Sequence, residues 1–312
     1  MMKTTLIILS IYAILAVGLM GRLKGEVESV GRLSGENNLM RKPPAVTTES
    51  IQTTDKCRNE RTNTVTLSLS DFCLNGGESE GDLLHSQFDL IERNLTPYVD
   101  QVFRKKGVVK DQSTVVVMPN IVLCQRKEQV NRRDITLTTQ MSINKIKRLV
   151  AIAGRWNGPL SVAMRVSRME ELRLFKDQLV KYREQLDKVA FHLYFEDKSR
   201  SYPNNILRNV ALDGVKSDYF ALFDVDLLPS PVNTHQHLQS ALDRHPQLKE
   251  KLNDKTVFVL PAWDLDDIIP DENITIRHSL YPETKNMILE WNAKNEKDRN
   301  VRIFCSEVFE PW

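Results

Sequence analysis

Asp224 and Asp226 are two carboxylates one residue apart, set between the apolar run Tyr219–Phe223 and the pair Leu227 and Leu228. A short apolar run of this kind reads as a buried strand. In extended chain, residues two apart share a face, so both acids are expected to project together at or just past a strand end. Two carboxylates held there repel one another unless a cation lies between them. A hard divalent ion such as Mn²⁺ or Mg²⁺ takes oxygen ligands and bridges to substrate phosphates. Pro229 is expected to end regular strand pairing. An Asp-x-Asp also serves often as a plain solvated turn, so the flanking elements must decide between the two.

Those flanks alternate. Phe88, Leu90, Ile91, Leu95 and Val99 suggest an amphipathic helix, and Val115–Met118 a strand. Ile135–Thr139 reads as a strand, and Ser142 as the cap of a helix with Ile143, Ile146, Leu149, Val150 and Ala153 on one face. Leu160–Val166 follows the Gly158-Pro159 break as another strand. Ser167 to Glu170 forms a capping box for a helix bearing Leu172, Phe175, Leu179, Tyr182 and Leu186. Val189–Phe195 is a third strand, and Asn204–Val215 a helix with Ile206, Leu207, Val210 and Ala211 inward. A helix near Gln236–Arg244 and a strand at Thr256–Leu260 come after the acids. Strands alternating with helices predict an α/β fold with a mainly parallel sheet and flanking helices. Such sheets bind ligands at the carboxyl ends of their strands, where Asp224 and Asp226 fall.

The 312 residues carry 43 Lys+Arg against 41 Asp+Glu, so no global basic field points to nucleic acid. Residues 4–20 form an almost purely apolar run after a short basic start, of a length between a signal-peptide core and a spanning helix. Either reading sends the rest of the chain into the secretory pathway. Residues 21–80 are polar, punctuated by Pro43-Pro44 and Gly76-Gly77, and read as a flexible stem. The expected organisation is a tail at 1–3, a signal-anchor at 4–20, a luminal stem at 21–80 and a catalytic domain at 81–312. Asn94 and Asn273 head glycosylation sequons. Cys57, Cys73, Cys124 and Cys305 could pair in an oxidising lumen, with connectivity left open.

A late strand-end acid pair suits a metal-dependent enzyme acting on a nucleotide-sugar, with the metal offsetting charge on the leaving diphosphate. A phosphohydrolase that uses the first acid as nucleophile would carry the motif on its first strand, with Thr or Val where Leu228 stands.

Tyr202-Pro203-Asn204-Asn205-Ile206-Leu207-Arg208-Asn209-Val210-Ala211, then Phe223-Asp224-Val225-Asp226-Leu227-Leu228-Pro229, closely resembles the LARGE-type glucuronyltransferases, glycosyltransferase family 49. Asp134 to Ser142, Trp156-Asn157-Gly158-Pro159-Leu160-Ser161 and Phe258-Val259-Leu260-Pro261-Ala262 agree in the same order, so the resemblance covers roughly residues 130 to 312. It implies a GT-A, Rossmann-like nucleotide-sugar-binding fold behind a type II membrane anchor in the Golgi. It also implies a Mn²⁺ (or Mg²⁺) ion, a UDP-sugar donor, most of all UDP-glucuronate, and inverting transfer to a glycan acceptor, as in elongation of protein O-mannosyl glycans. By the same resemblance Asp224 and Asp226 hold the metal, while Thr138, Gln140, Arg208 and Asn209 lie near the donor. Inversion needs a general base, and Asp264 lies where the family carries an acid. Against these roles stand plainer ones: strand-end polarity for Thr138 and Gln140, an exposed helix arginine for Arg208, a loop carboxylate beside Asp266 and Asp267 for Asp264. Phe309-Glu310-Pro311-Trp312 resembles a segment that the family follows with a Gly-Trp-Asn-Lys motif and a late His. The chain is therefore expected to be C-terminally incomplete or a shortened member, and the alternative function is an inactive relative that binds a glycan or partner.

Overall fold

The computed structural model describes residues 6–10, 46–55, 60–69, 80–103, 112–122, 131–196, 201–253, 257–258, 260, 262–265, 283–284, 286–287, 290 and 301–303. In chain order the strands and helices are β1 Leu6–Ser10, β2 Val46–Asp55, β3 Glu60–Leu69, α1 Glu80–Leu95, α2 Val99–Val102, β4 Gln112–Val122, β5 Ile135–Ser142, α3 Ile146–Trp156 and β6 Leu160–Val166. They continue as α4 Met169–Lys181, β7 Val189–Phe195, α5 Asn204–Asp213, β8 Tyr219–Leu222, β9 Leu227–Ser230, α6 Thr234–Arg244, α7 Pro246–Asn253, β10 Ala262–Leu265 and β11 Val301–Ile303. The main sheet has seven strands in the order β2-β3-β4-β7-β6-β5-β8, and a second sheet has the order β11-β10-β1-β9.

Strands β5 to β8 are the organising part. β5 pairs in parallel with both β6 and β8, and β6 in parallel with β7. The chain therefore steps outward from β5 through β6 to β7 and then returns to the other side of β5. That reversal opens a crevice between the carboxyl ends of β5 and β8, the place where open α/β sheets take ligands. Every residue of β6 is buried, as are all but the last of β5, because helices cover both faces. Val162, Met164, Phe191 and Leu193 pack with Phe88, Leu149 and Phe175 on one face. Ala163 and Tyr194 pack with Leu207 and Ala211 of α5 on the other. Successive strand residues thus serve opposite layers, which is the period-two rule at work.

Several expectations shift in detail. Val46–Asp55 and Glu60–Leu69, inside the expected stem, form an antiparallel pair joined in parallel to β4. Thr recurs through both segments, joined by Val46 and Ile51 in one and Val65 in the other, and β-branched side chains suit a pleated strand even where the composition is polar. Val65 and Leu67 are buried two residues apart, a period too brief to stand out in so polar a stretch. Of the strand expected at 256–260, the described residues 257, 258 and 260 are not in a strand, and β10 follows at Ala262–Leu265. Pro229 sits within β9 rather than ending it, which is tolerated because β9 is an edge strand. Ile206 is exposed instead of inward. Ser142 makes no capping bond to the turn that follows it. The helix-start bond at α4 runs from the Ser167 N–H to Glu171 Oε2 at 2.7 Å, so Glu171 takes the part expected of Glu170.

Of the expected anchor, Leu6–Ser10 forms β1, paired with β9 and β10, and the rest of 4–20 lies outside the described residues. Among the described residues no helix is long and apolar enough to cross a membrane. Asn273 and the four cysteines also lie outside them. Asn94 is in α1 with its Nδ2 donating to Leu90 O at 2.8 Å.

Candidate metal and donor site

The acid pair lies just past β8, in a turn closed by the Leu227 N–H donating to Asp224 O at 2.9 Å. Val225 between them is buried, while the side chains of Asp224 and Asp226 are 49% and 40% exposed. They stand together because the turn brings them out around a buried valine, not because of strand alternation. Two bonds fix that turn to the sheet. Phe223 N–H donates to Thr138 O at 3.0 Å, and Thr138 Oγ1 donates to Ala221 O at 3.3 Å. Phe223 then packs edge-on against Trp156 at 6.2 Å, whose Nε1–H donates to Pro159 O at 3.0 Å.

Each acid meets basic side chains. Arg208 Nη2 of α5 donates to Asp224 Oδ1 at 2.7 Å. Lys145 Nζ donates to Asp226 Oδ1 at 3.0 Å, and Arg148 Nη1 of α3 stands 3.0 Å from the same oxygen. The cations come from both sides of the crevice, Lys145 and Arg148 following β5 and Arg208 preceding β8. The repulsion expected of two neighbouring carboxylates is offset by the protein's own charges.

Beside the acids a polar network holds the start of α5. Tyr202 OH donates to Gln140 Oε1 at 2.6 Å, and Gln140 Nε2 donates to Asn204 Oδ1 at 3.3 Å. Burial raises the Tyr202 phenol, and the Asp224 and Asp226 charges add to this; a bond with Ser142 and the Arg165 charge oppose it. The result is a pKa pushed up to about 12, so the phenol remains a donor at any working pH. Arg165, at the end of β6, lies 5.7 Å from the centre of the Tyr202 ring and 3.5 Å from Glu196 just past β7. The carboxyl ends of all four parallel strands thus carry polar or charged groups.

The expected site residues divide accordingly. Asp224, Asp226 and Arg208 come together. Gln140 borders them and acts through Tyr202 and Asn204. Asn209 is exposed on α5 beside Arg208. Thr138 differs from expectation: it is fully buried and its hydroxyl serves the β5–β8 pair, so it fixes the acid-bearing turn from behind. Asp264 lies in β10, opposite Arg302 of β11 and Ile7 of β1, in a strand rather than a loop. Lys145, Arg148, Tyr202 and Asn204 were not singled out by residue-level reading. Lys145 ends the short turn before α3 and Arg148 lies in the first turn of the helix, both off its apolar face, so a local reading takes them for solvated charges.

Among the described residues no group of three His, Cys, Asp or Glu could hold a metal by itself. Two carboxylates nevertheless fit Mn²⁺ or Mg²⁺, because such ions are often held by one or two carboxylates plus substrate phosphates. All three ion pairs fall on Oδ1 atoms, and both acids remain open to solvent.

Behind α5 lies a second polar cluster with a structural task. His192 is fully buried in β7; its Nδ1 accepts from the Asn120 N–H at 3.0 Å and its Nε2 lies 2.9 Å from Ser161 Oγ. Ser161 Oγ in turn donates to Ala211 O at 2.6 Å, which requires the proton on Nε2. Asn120 has φ 59° at an irregularity in the β4–β7 pairing, and that bend aims its N–H at the ring. Gly214 at the end of α5 lies against the same ring: a Cβ there would fall 2.1 Å from His192. Burial, with a further contribution from the Lys216 charge, lowers His192 from 6.5 to about 4. Between these values the unfolded chain binds a proton that the folded protein refuses, so stability rises with pH across the window and falls as pH is lowered. Going from pH 7 to pH 5 is expected to cost about 2 kcal/mol from this group alone. Urea midpoints of the wild type and His192→Gln, measured across that range, check it. An equal pH slope in the variant would assign the loss elsewhere.

At the opposite end of β5, His235 Nε2 lies 2.5 Å from Asp134 Oδ1, which also accepts from the Ile135 N–H at 2.8 Å. Burial, the largest influence, raises Asp134, but these two bonds together with charge interactions from His235 and Lys188 outweigh it and hold its carboxyl below the usual range. His235 packs on Trp156 at 5.4 Å, so this pair ties α6 to the start of the sheet, away from the crevice.

The family model described as glycosyl-transferase for dystroglycan matches residues 134–201 and 178–311, together more than half of the chain. The xylosyl- and glucuronyltransferase LARGE2s of Danio rerio is 31% identical over 161 residues, 50% of this chain and 19% of that protein. LARGE1 of Homo sapiens, a xylosyl- and glucuronyltransferase, is 27% identical over 163 residues, with the same shares of 50% and 19%. The glycosyltransferase-like protein gnt14 of Dictyostelium discoideum is 24% identical over 255 residues, 80% of this chain and 36% of that protein. The chain spans well under half the length of the curated relatives it matches.

Proposed function

The chain belongs to the family of glycosyl-transferases for dystroglycan, and from that premise we propose that it transfers a sugar from a UDP-sugar donor to a glycan with a divalent metal at Asp224 and Asp226. The observation that carries this reading is the acid pair at the β5–β8 crevice, ringed by Lys145, Arg148 and Arg208. Charge supports glucuronate as the donor sugar. Three cations against two carboxylates leave one positive charge, and a divalent ion raises that to three. A diphosphate with a uronate brings three negative charges, whereas a neutral sugar brings two. The names of the similar xylosyl- and glucuronyltransferases agree with such a donor.

Mn²⁺ or Mg²⁺ held by Asp224 and Asp226 would supply Lewis-acid neutralisation of the diphosphate. The three basic side chains add a fixed positive field where the leaving diphosphate gathers charge. Gln140, Tyr202 and Asn204 hold the start of α5 so that Arg208 keeps its place. Asp264 is the proposed base that takes the proton of the attacking acceptor hydroxyl, as inversion requires. In the same reading the domain works on the luminal side of the Golgi membrane.

The test is release of UDP from UDP-glucuronate, UDP-xylose and UDP-glucose by the full-length protein with a glycan acceptor, with Mn²⁺ and with EDTA. UDP-glucuronate is expected to turn over fastest, and EDTA to stop the reaction. Equal turnover with EDTA would overturn the metal role. No turnover of any donor, with UDP still bound, would favour a binding protein.

A further inference from the structure

This inference rests on the reading of Asp224 and Asp226 as the metal-holding pair. We propose that Lys145 and Arg208 are exchangeable counter-ions: each neutralises one acid while the site is empty and passes to the donor's diphosphate when metal and donor bind, which makes the two bind cooperatively.

The geometry divides the three cations into two kinds. Arg148 is 2% exposed on α3, so it stays with the sheet whatever enters the crevice. Lys145 is 22% exposed at the end of a short turn, and Arg208 is 33% exposed on the flank of α5. Both have long stems and room to swing. Each holds the Oδ1 atom of one acid, and an ion bound to that carboxylate would weaken the hold. A divalent ion arriving alone must compete with the cation already on each acid and then stand close to both. At a partly solvated surface two unit charges about 4 Å apart interact by about 4 kcal/mol, so that crowding opposes metal binding. A diphosphate arriving alone finds the cations already spent on carboxylates. When both arrive, the metal takes the acids and the released Lys145 and Arg208 take the phosphates, and every charge keeps a partner. Coupling of this kind is reciprocal: whatever factor UDP adds to metal affinity, metal adds to UDP affinity.

The test is calorimetric titration of Mn²⁺ into the full-length protein, without UDP and with saturating UDP. For the wild type, UDP is expected to tighten Mn²⁺ about tenfold or more. In Lys145→Ala, Asp226 loses one of its cations, so Mn²⁺ alone should bind tighter by about threefold, while the gain from UDP should shrink to under about threefold. Lys145→Arg should restore the wild-type pattern. Arg208→Ala is the parallel variant on the other acid and replaces Lys145→Ala if that protein fails to fold. The proposal is overturned if Lys145→Ala weakens Mn²⁺ alone or keeps the full gain from UDP. A wild type that binds Mn²⁺ and UDP without coupling also sinks it, yet leaves the metal site standing. A wild type that binds no Mn²⁺ even with UDP removes both.

Discussion

Replacing Asp224 or Asp226 by Asn is expected to lower glycosyl transfer by about a thousandfold, roughly 4 kcal/mol of barrier, because on the proposed reading either change would remove a charged metal ligand at the leaving diphosphate. The two variants should differ in stability. Asp224 lies half open and pairs with the partly exposed Arg208, so Asp224→Asn should change the melt by less than about 0.5 kcal/mol. Asp226 faces Arg148, whose side chain is buried, and losing that charge contact should cost about 1 kcal/mol. UDP release and thermal melts on the same preparations check both parts. Turnover within tenfold of wild type in either variant would show that the pair does not hold the metal.

A second large effect is expected at Arg155, which does no chemistry. It is fully buried at the end of α3, with Nε donating to Pro229 O at 2.5 Å and Nη2 paired with Glu283 Oε1 at 2.9 Å. Glu283 Oε2 also accepts from the Val232 N–H at 2.7 Å. One guanidinium thus joins α3, the edge strand β9 and the turn after it. Arg155→Met fills most of the space but leaves a buried carbonyl and a half-buried carboxylate without their donor. Removing one partner of a buried pair costs about 3 to 5 kcal/mol. Glu283 can turn partly to water, so the lower end of that range is expected. A urea titration measures it, and Glu283→Gln, which keeps the bond to Val232, should lose clearly less. Equal losses in both would place the effect on the charge pair rather than on the carbonyl of Pro229.

The parallel core was legible because its strands are buried on both faces and so appear as unbroken apolar runs. Val189–Phe195 and Leu160–Val166 match their strands end to end, and β8 begins at the Tyr219 expected of it. The acid pair was legible for the same reason, since the apolar run ends where the carboxylates begin. What stayed hidden depends on contacts between distant parts of the chain. Arg148 and Arg155 lie on the side of α3 away from Ile146, Leu149, Val150 and Ala153, where a local reading of pattern expects solvated charge, yet both are buried; their partners Asp226, Pro229 and Glu283 arrive only through the fold. Thr138 shows the converse. Its polarity invites a ligand, and burial against Ala221 turns it to the backbone. The β2–β3 pair was masked by threonine, which composition counts as polar and a strand accepts readily.

The return of the chain from β7 to β8 carries a consequence for when this protein becomes able to bind. The contacts that join β5 to β8 and complete the crevice span 81 to 83 residues: Thr136 to Ser217, Thr138 to Ala221, Lys145 to Asp226. Closing a loop several times longer than that between β5 and β6 adds only about 1 kcal/mol of chain entropy, so equilibrium tolerates it well. Order in time is another matter. A ribosome adding about 5 to 20 residues per second exposes Lys145 and Arg148 several seconds before Asp226 exists. During that interval β5, β6 and β7 can already pair through their nearer contacts, leaving two cations facing the vacant place of β8. Docking of that four-residue strand delivers both carboxylates in one event. On the proposed reading, nucleotide and metal would have nothing to grip until the sheet is otherwise built, and their binding would report that the last parallel strand of the main sheet has docked.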